Sequence, residues 1–324
     1  MFKYVLVPDS FKGTMTSREI CEIMQHAIER IDSDAKIISV PVADGGEGSV
    51  DAFLSALGGK RKAITVTGPH FEKLSSSYGI TDDGTAVIEM SACAGLPLVY
   101  GNKNPEITTT YGVGELICNA ARSGAKRIVI GLGGSATNDG GCGAAAAAGI
   151  KFYDKSGKSF IPVGRTIKDI ASIDYSGLDS ALSGVSISAM CDVDNPLLGE
   201  TGAANVFGPQ KGATPEQVAL LDQALSRYAS VLSSQLGSDA AQRDGAGAAG
   251  GIGCAMMAFF GASFLSGIDL VLDAAGFSTA VAGADLVLTG EGRLDAQSAY
   301  GKVPCGVARR AKAVRNVPVL AIGG

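Results

Sequence analysis

Lys3-Tyr4-Val5-Leu6-Val7-Pro8 runs directly into Asp9-Ser10-Phe11-Lys12-Gly13. An apolar run of strand length thus meets a loop that carries an acid, a lysine and a glycine. Behind that loop Thr16 and Glu19 form a capping box, and Ile20, Ile23, Met24, Ala27, Ile28 and Ile31 follow at helical spacing. The pattern then repeats. Residues 36–42 read as a second strand and 44–48 as a second loop. Val50, Phe53, Leu54 and Leu57 mark a second helix, stopped by Gly58-Gly59. Strand, helix, strand, helix predicts a parallel sheet with right-handed crossovers. Both loops then emerge at its carboxyl edge, where open α/β folds bind their ligands.

Beyond residue 60 the pattern changes. Residues 63–67, 75–81 and 85–89 look like short strands, and Asp83-Gly84 joins the last two as a hairpin. A helix starts near Thr110 and ends near Gly124. Strand 127–132 then enters the glycine-rich run from Gly133 to Gly141, followed by a short helix over 142–148. Residues 185–191 form a strand that ends in Asp192-Val193-Asp194-Asn195-Pro196. Thr214, Pro215 and Gln217 open a long amphipathic helix that closes at Gly237. Strand 285–288, loop 290–295, a helix from Pro304 and strand 317–322 restore the opening rhythm. The expected fold is therefore α/β with two domains. A Rossmann-like domain with a parallel sheet uses both chain ends, 1–62 and 283–324, and a mixed-sheet α/β domain over 63–282 is inserted between them. Another loop and helix are expected after Gly323-Gly324, so the chain reads as C-terminally truncated.

Composition narrows the function. With 27 Lys+Arg against 32 Asp+Glu and a net charge of −5, the chain lacks the basic footprint of a nucleic-acid binder. Its 7 cysteines are scattered without a CxxC pair, which suggests reduced thiols and a cytoplasmic setting. His26 and His70 are the only histidines, and His26 falls inside a helix, so acid–base work rests on Asp, Glu or Lys. No signal peptide is evident. Residues 245–268 are uncharged and imitate a membrane span, with Gly247 and Gly251 in a GxxxG pattern. Asp244 and Asp269 flank them and glycines interrupt them, so a Gly/Ala-rich helix buried between layers is expected.

Four glycine-rich loops, 9–13, 44–48, 131–141 and 289–295, each follow an apolar run and each carry acids. Glycine lets backbone approach a ligand, and the helix start behind such a turn offers N–H groups to an anion. The carboxylates would repel bare phosphate, so a divalent cation between them and a nucleotide is the consistent arrangement. Asp192 and Asp194, two residues apart after a strand, can hold Mg²⁺ or can stabilise a plain turn. No GxxxxGK[ST] occurs. The run from Gly131 to Ala136 does satisfy the relaxed dinucleotide fingerprint, with Asp154 as a ribose-binding acid. Against it, Asp139 in the same turn would face a pyrophosphate. An NAD(P)-dependent hydroxy-acid dehydrogenase is thus one alternative, and a nucleotide-fold binding protein without turnover is another.

Six blocks occur together and in order: Asp9-Ser10-Phe11-Lys12-Gly13, Ala43-Asp44-Gly45-Gly46-Glu47-Gly48, and residues 133–141, 191–196, 245–251 and 289–298. Together they resemble the signature blocks of the bacterial class I glycerate kinase family along the whole chain. The resemblance implies two α/β domains with a cleft, and ATP- and Mg²⁺-dependent phosphorylation of D-glycerate, usually to 2-phosphoglycerate. Known members extend past the equivalent of Gly324. Within that frame Lys12 and Arg293 neutralise phosphoryl charge or hold the glycerate carboxylate, beside Ser10 and Glu47. Asp192, Asp194 and Glu291 hold Mg²⁺. Asp44 is the first choice for general base and Asp192 the second. Gly133, Gly134, Ser135, Thr137, Gly290 and Gly292 bind phosphate. The expected partner is a small molecule, with no nucleic acid and no membrane; a homo-oligomer is compatible with all of this.

Overall fold

The opening apolar run becomes strand β1 (Lys3–Pro8), in which Val5, Leu6 and Val7 are wholly buried. A strand buried on both faces belongs at the centre of a layered parallel sheet. β1 pairs in parallel with β2 (Lys36–Ser39) on one side and β12 (Leu286–Glu291) on the other. β12 in turn pairs in parallel with β13 (Val319–Gly323), giving the order β13–β12–β1–β2. Strands from the two ends of the chain therefore share one sheet. These coordinates are a computed structural model and describe residues 1–11, 13–43, 45–294 and 302–324.

The second sheet has the order β11 (Ser263–Leu265), β10 (Ser186–Met190), β6 (Arg127–Gly131), β5 (Thr85–Glu89), β4 (Lys73–Ile80) and β3 (Lys60–Thr67). Its β3–β4–β5 meander is antiparallel and the rest is parallel, so the sheet is mixed as expected. A small antiparallel sheet, β8 (Ser159–Phe160), β7 (Lys151–Tyr153) and β9 (Ser172–Asp174), lies outside the strands expected from pattern. Its strands are two or three residues long, too short to show a period.

Helices cover these sheets. α1 (Ser17–Glu29) starts at the expected Thr16–Glu19 capping box and packs on β1. α2 (Ser49–Leu57) touches β4 and β5. α3 (Ser91–Ala94) precedes α4 (Tyr111–Arg122), which packs on α5 (Cys142–Ala147). α6 (Ala203–Phe207) packs on α7 (Pro215–Leu236), whose Thr214–Gln217 capping box and Gly237 stop match the sequence signals. α8 (Ala248–Phe260) is the expected buried Gly/Ala-rich helix, although left-handed backbone interrupts it at Ala249, Gly250 and Gly251. Among the described residues no helix is long and apolar enough to cross a membrane.

α9 (Gly267–Ala274) and α10 (Phe277–Val281) meet α11 (Val303–Val314). They supply Ile268, Val271, Leu272 and Phe277 to a core that also holds Val5 and Val7 of the first sheet and Val87, Val129 and Met190 of the second. Each such side chain contributes about 1.5–3 kcal/mol on burial. A shared core holds the carboxyl ends of the two sheets against each other.

Candidate active site

The loop after β2 and the loop after β6 touch backbone to backbone. The Gly133 N–H donates to the Gly45 carbonyl at 3.3 Å. A Cβ on Gly131 would sit 2.3 Å from the Gly45 oxygen, and one on Gly133 would sit 2.7 Å from the Gly46 Cα. Glycine at both positions is thus a matter of space, and larger residues would force the sheets apart. On one side of the contact lies a cavity of about 470 Å³, lined by Gly133, Gly134, Ser135, Asp192, Asp194 and Lys211 among others. Further along the loop after β2, Glu47 and Gly48 line a separate groove of about 680 Å³ with Ser10, Asp51, Arg61, Glu89 and the first turn of α1. Both volumes suit small ligands.

In the cavity, Gly134 is left-handed at φ 73°, and its loop is pinned by hydrogen bonds from Leu96 N–H to Gly134 O and from Ala136 N–H to Ala94 O. Asp192 follows β10 and accepts a hydrogen bond from Gly267 N–H at the start of α9, 3.2 Å from Oδ1. That contact fixes the carboxylate and places it at the positive end of a helix. Asp194 is exposed at the rim. Lys302, the residue before α11, also lines the cavity, and its ammonium lies 3.9 Å from Oε2 of the buried Glu291. Glu291 therefore reaches this cavity through Lys302.

Other candidates lie elsewhere. Gly290 is part of β12, and its carbonyl accepts from Asp9 N–H at 2.8 Å; a Cβ there would meet Ile322 O at 2.4 Å. Gly292 and Arg293 are exposed and line neither space. Lys12, Asp44 and Asp295 lie outside the described residues. Thr137 is wholly buried behind the cavity wall, and its carbonyl accepts from Lys211 Nζ at 2.7 Å.

Asp139 corrects one expectation. It does not face the ligand space; it is fully buried and accepts from Thr110 N–H at 2.7 Å, Thr110 Oγ1 at 2.8 Å, Gly141 N–H at 3.1 Å and Gly143 N–H at 3.2 Å. Burial pushes its carboxyl up, while these four donors favour the carboxylate. Its work is to tie the glycine loop to the start of α4.

Lys211 and Glu89 escaped the sequence reading. Pro209-Gln210-Lys211-Gly212 reads as a solvated turn, and nothing in it signals that Lys211 is wholly inside. Burial lowers its ammonium to about 7, opposed by the charge of Asp139. Glu89 did carry a signal: it ends a parallel strand at the carboxyl edge. It accepts from Val50 N–H at 2.7 Å, and burial pushes its carboxyl up. All seven cysteines are free.

Two α/β sheets joined at glycine loops, with carboxylates and lysines around one cavity, define a site suited to a phosphorylated ligand. The sequence model described as the Glycerate kinase family matches residues 4–324. The chain is 47% identical over 324 residues to the glycerate kinase of Bacillus cereus, an alignment that covers 99% of this chain and 85% of the relative. Identity and coverage are the same for the glycerate 2-kinase of Escherichia coli K12. A crystal structure assigned as glycerate kinase 2 from Salmonella typhimurium LT2 superimposes with a TM-score of 0.90 at 45% identity, covering 100% of this chain and 87% of that one. The chain belongs to the glycerate kinase family. It is thereby placed among phosphotransferases, not among the dehydrogenases that the Gly131–Ala136 fingerprint had suggested.

Proposed function

We infer that this protein transfers the γ-phosphoryl group of ATP to the 2-hydroxyl of D-glycerate, giving 2-phosphoglycerate. One observation carries the inference: the loop after β2 lends Gly45 to a cavity suited to phosphate and Glu47 and Gly48 to an acid-lined groove. Two substrates can therefore approach from opposite sides of one short loop. The relatives named glycerate kinase and glycerate 2-kinase support the choice of acceptor and hydroxyl.

ATP occupies the 470 Å³ cavity, with its phosphates against Gly133, Gly134 and Ser135. Thr137 backs that wall. Glycerate occupies the groove beside Ser10 and Glu47. Lys12 and Arg293 hold its carboxylate or the developing phosphoryl charge. Asp44, within the shared loop, accepts the hydroxyl proton, with Asp192 as the second candidate. Among the described residues no three metal-ligating side chains cluster, but Mg²⁺ needs only one or two carboxylates beside phosphate and water. Asp192 and Asp194 offer those oxygens at the cavity, with Glu291 behind them. Held there, Mg²⁺ would supply neutralisation of the phosphate charge.

Apart from the start of β3 at Lys60, each sheet draws its strands from one of the two expected chain regions, which supports domains of 1–62 with 283–324 and of 63–282. A cytoplasmic location suits free thiols and a nucleotide substrate. Assaying ADP release with and without D-glycerate, followed by phosphorus NMR of the product, tests the inference. Glycerate-dependent ADP and 2-phosphoglycerate are expected. No ADP overturns the activity, and 3-phosphoglycerate overturns the regiochemistry.

A further inference from the structure

Lys211 is 1% exposed, yet it lines the wall of the nucleotide cavity. The Lys211 ammonium donates from Nζ to the Thr137 carbonyl at 2.7 Å. An ammonium taken out of water normally finds a carboxylate, and lysine is among the residues least often buried without one. No carboxylate lies within ion-pair distance of Lys211 among the described residues. Its surroundings are unsatisfied too. Thr137 Oγ1 and both side-chain polar atoms of Asn138 are buried and find no hydrogen-bond partner among the described residues. Native proteins leave few such groups, so three on consecutive residues of the loop that holds the Lys211 ammonium call for a physical cause.

The backbone that encloses this wall is strained. Ala249, which lines the cavity, is left-handed at φ 53°, a conformation that costs a residue with a Cβ energy. Gly250 beside it has no room for a side chain, because a Cβ would sit 2.0 Å from Thr137 O. Left-handed non-glycine residues concentrate at ligand sites, where the surrounding fold holds them in place.

We propose that Lys211 is a phosphate-binding residue of the kinase reaction, swinging its ammonium from the Thr137 carbonyl onto the phosphate chain of ATP. The proposal rests on the nucleotide occupying this cavity. It explains why a lysine is kept inside with no carboxylate partner among the described residues: the anion it requires arrives with the substrate. Groups facing Lys211 are Asp139 behind Thr137, Asp192 and Asp194 from the end of β10, Lys302 across the cavity, and Lys103, which donates to the Gln210 carbonyl. Near pH 8 Lys211, lowered to about 7 by burial, is mostly neutral until phosphate arrives. ATP binding then takes up a proton.

The test compares affinities for Mg-ATP and for adenosine, measured by titration calorimetry on the wild type and on Lys211→Met. A phosphate-binding role predicts that Mg-ATP weakens about ten- to a hundred-fold while adenosine changes less than about twofold. Lys211→Arg, which keeps the charge, should recover part of the loss. Equal weakening for both ligands, or none for either, overturns the proposal. Should Lys211→Met not fold, calorimetry of the wild type at pH 8 in buffers of different ionisation enthalpy decides: uptake approaching one proton supports the role, and none overturns it. Glycerate-dependent ADP release by the wild type separates the two levels. Turnover with unaltered ATP binding by Lys211→Met sinks the role of Lys211 alone, whereas a wild type that releases no ADP sinks the kinase reading.

Discussion

Two fully buried charges lie behind the same glycine loop, and their surroundings differ. Asp139 accepts four hydrogen bonds, from two groups of Thr110 and from the backbone at Gly141 and Gly143. The Lys211 ammonium donates to a carbonyl, that of Thr137, and polar side-chain atoms of Thr137 and Asn138 find no hydrogen-bond partner among the described residues. A charge that the fold satisfies completely serves the fold. One that the fold leaves short of a counter-ion weakens the fold and points to a ligand. The sequence does not show this difference: Asp139 reads as an acid that would face a bound pyrophosphate, and Lys211 carries no local signal.

The contrast can be broken most severely at the acid. Asp139→Ala leaves four donors without an acceptor, and unfolding in denaturant should show a loss of about 3–5 kcal/mol. A loss below about 1 kcal/mol would mean that the hydrogen-bond hub is not structural. The lysine should behave in the opposite sense. Its folded value of about 7 lies below the ordinary 10.5, so the unfolded chain binds more protons between those limits. Stability therefore rises with pH across that window, and the penalty is complete below about pH 7. Lys211→Met should flatten this slope and, at neutral pH, leave the protein as stable as the wild type or more so by up to about 3 kcal/mol. A steeper slope in the variant would refute the assignment.

Smaller effects sharpen the comparison. Gly250→Ala forces a Cβ toward the Thr137 carbonyl at 2.0 Å in a left-handed backbone, and should cost about 2 kcal/mol in thermal unfolding. Ala249→Gly relieves the left-handed strain on the same wall and should stabilise by about 1 kcal/mol. If both changes fall within measurement error, the wall that encloses Lys211 is not under constraint.

Much of the fold was legible because periodicity is a local property. β1 and β5 fall on their expected bounds, and both capping boxes form. α9 and α10 were invisible, since eight and five residues give too few turns to display a face. Of the candidate site, the strand-end acid Asp192 and the glycines at 133 and 134 share one cavity, whereas Ser10 and Glu47 line the neighbouring groove. Sequence spacing could not separate those two spaces, because residues of one loop, Gly45 and Glu47, line different ones. Nor could it show which way Asp139 faces, which depends on Thr110 in a distant segment. The burial of Lys211 has no local signature at all.

The most direct test of the two-compartment account is a crystal structure with a non-hydrolysable ATP analogue, Mg²⁺ and D-glycerate bound together. The account predicts the triphosphate within hydrogen-bond reach of Gly133–Ser135 and Lys211, with glycerate on the Ser10 and Glu47 side of the shared loop. A triphosphate lying in the groove beside Glu47 and Glu89 would contradict it.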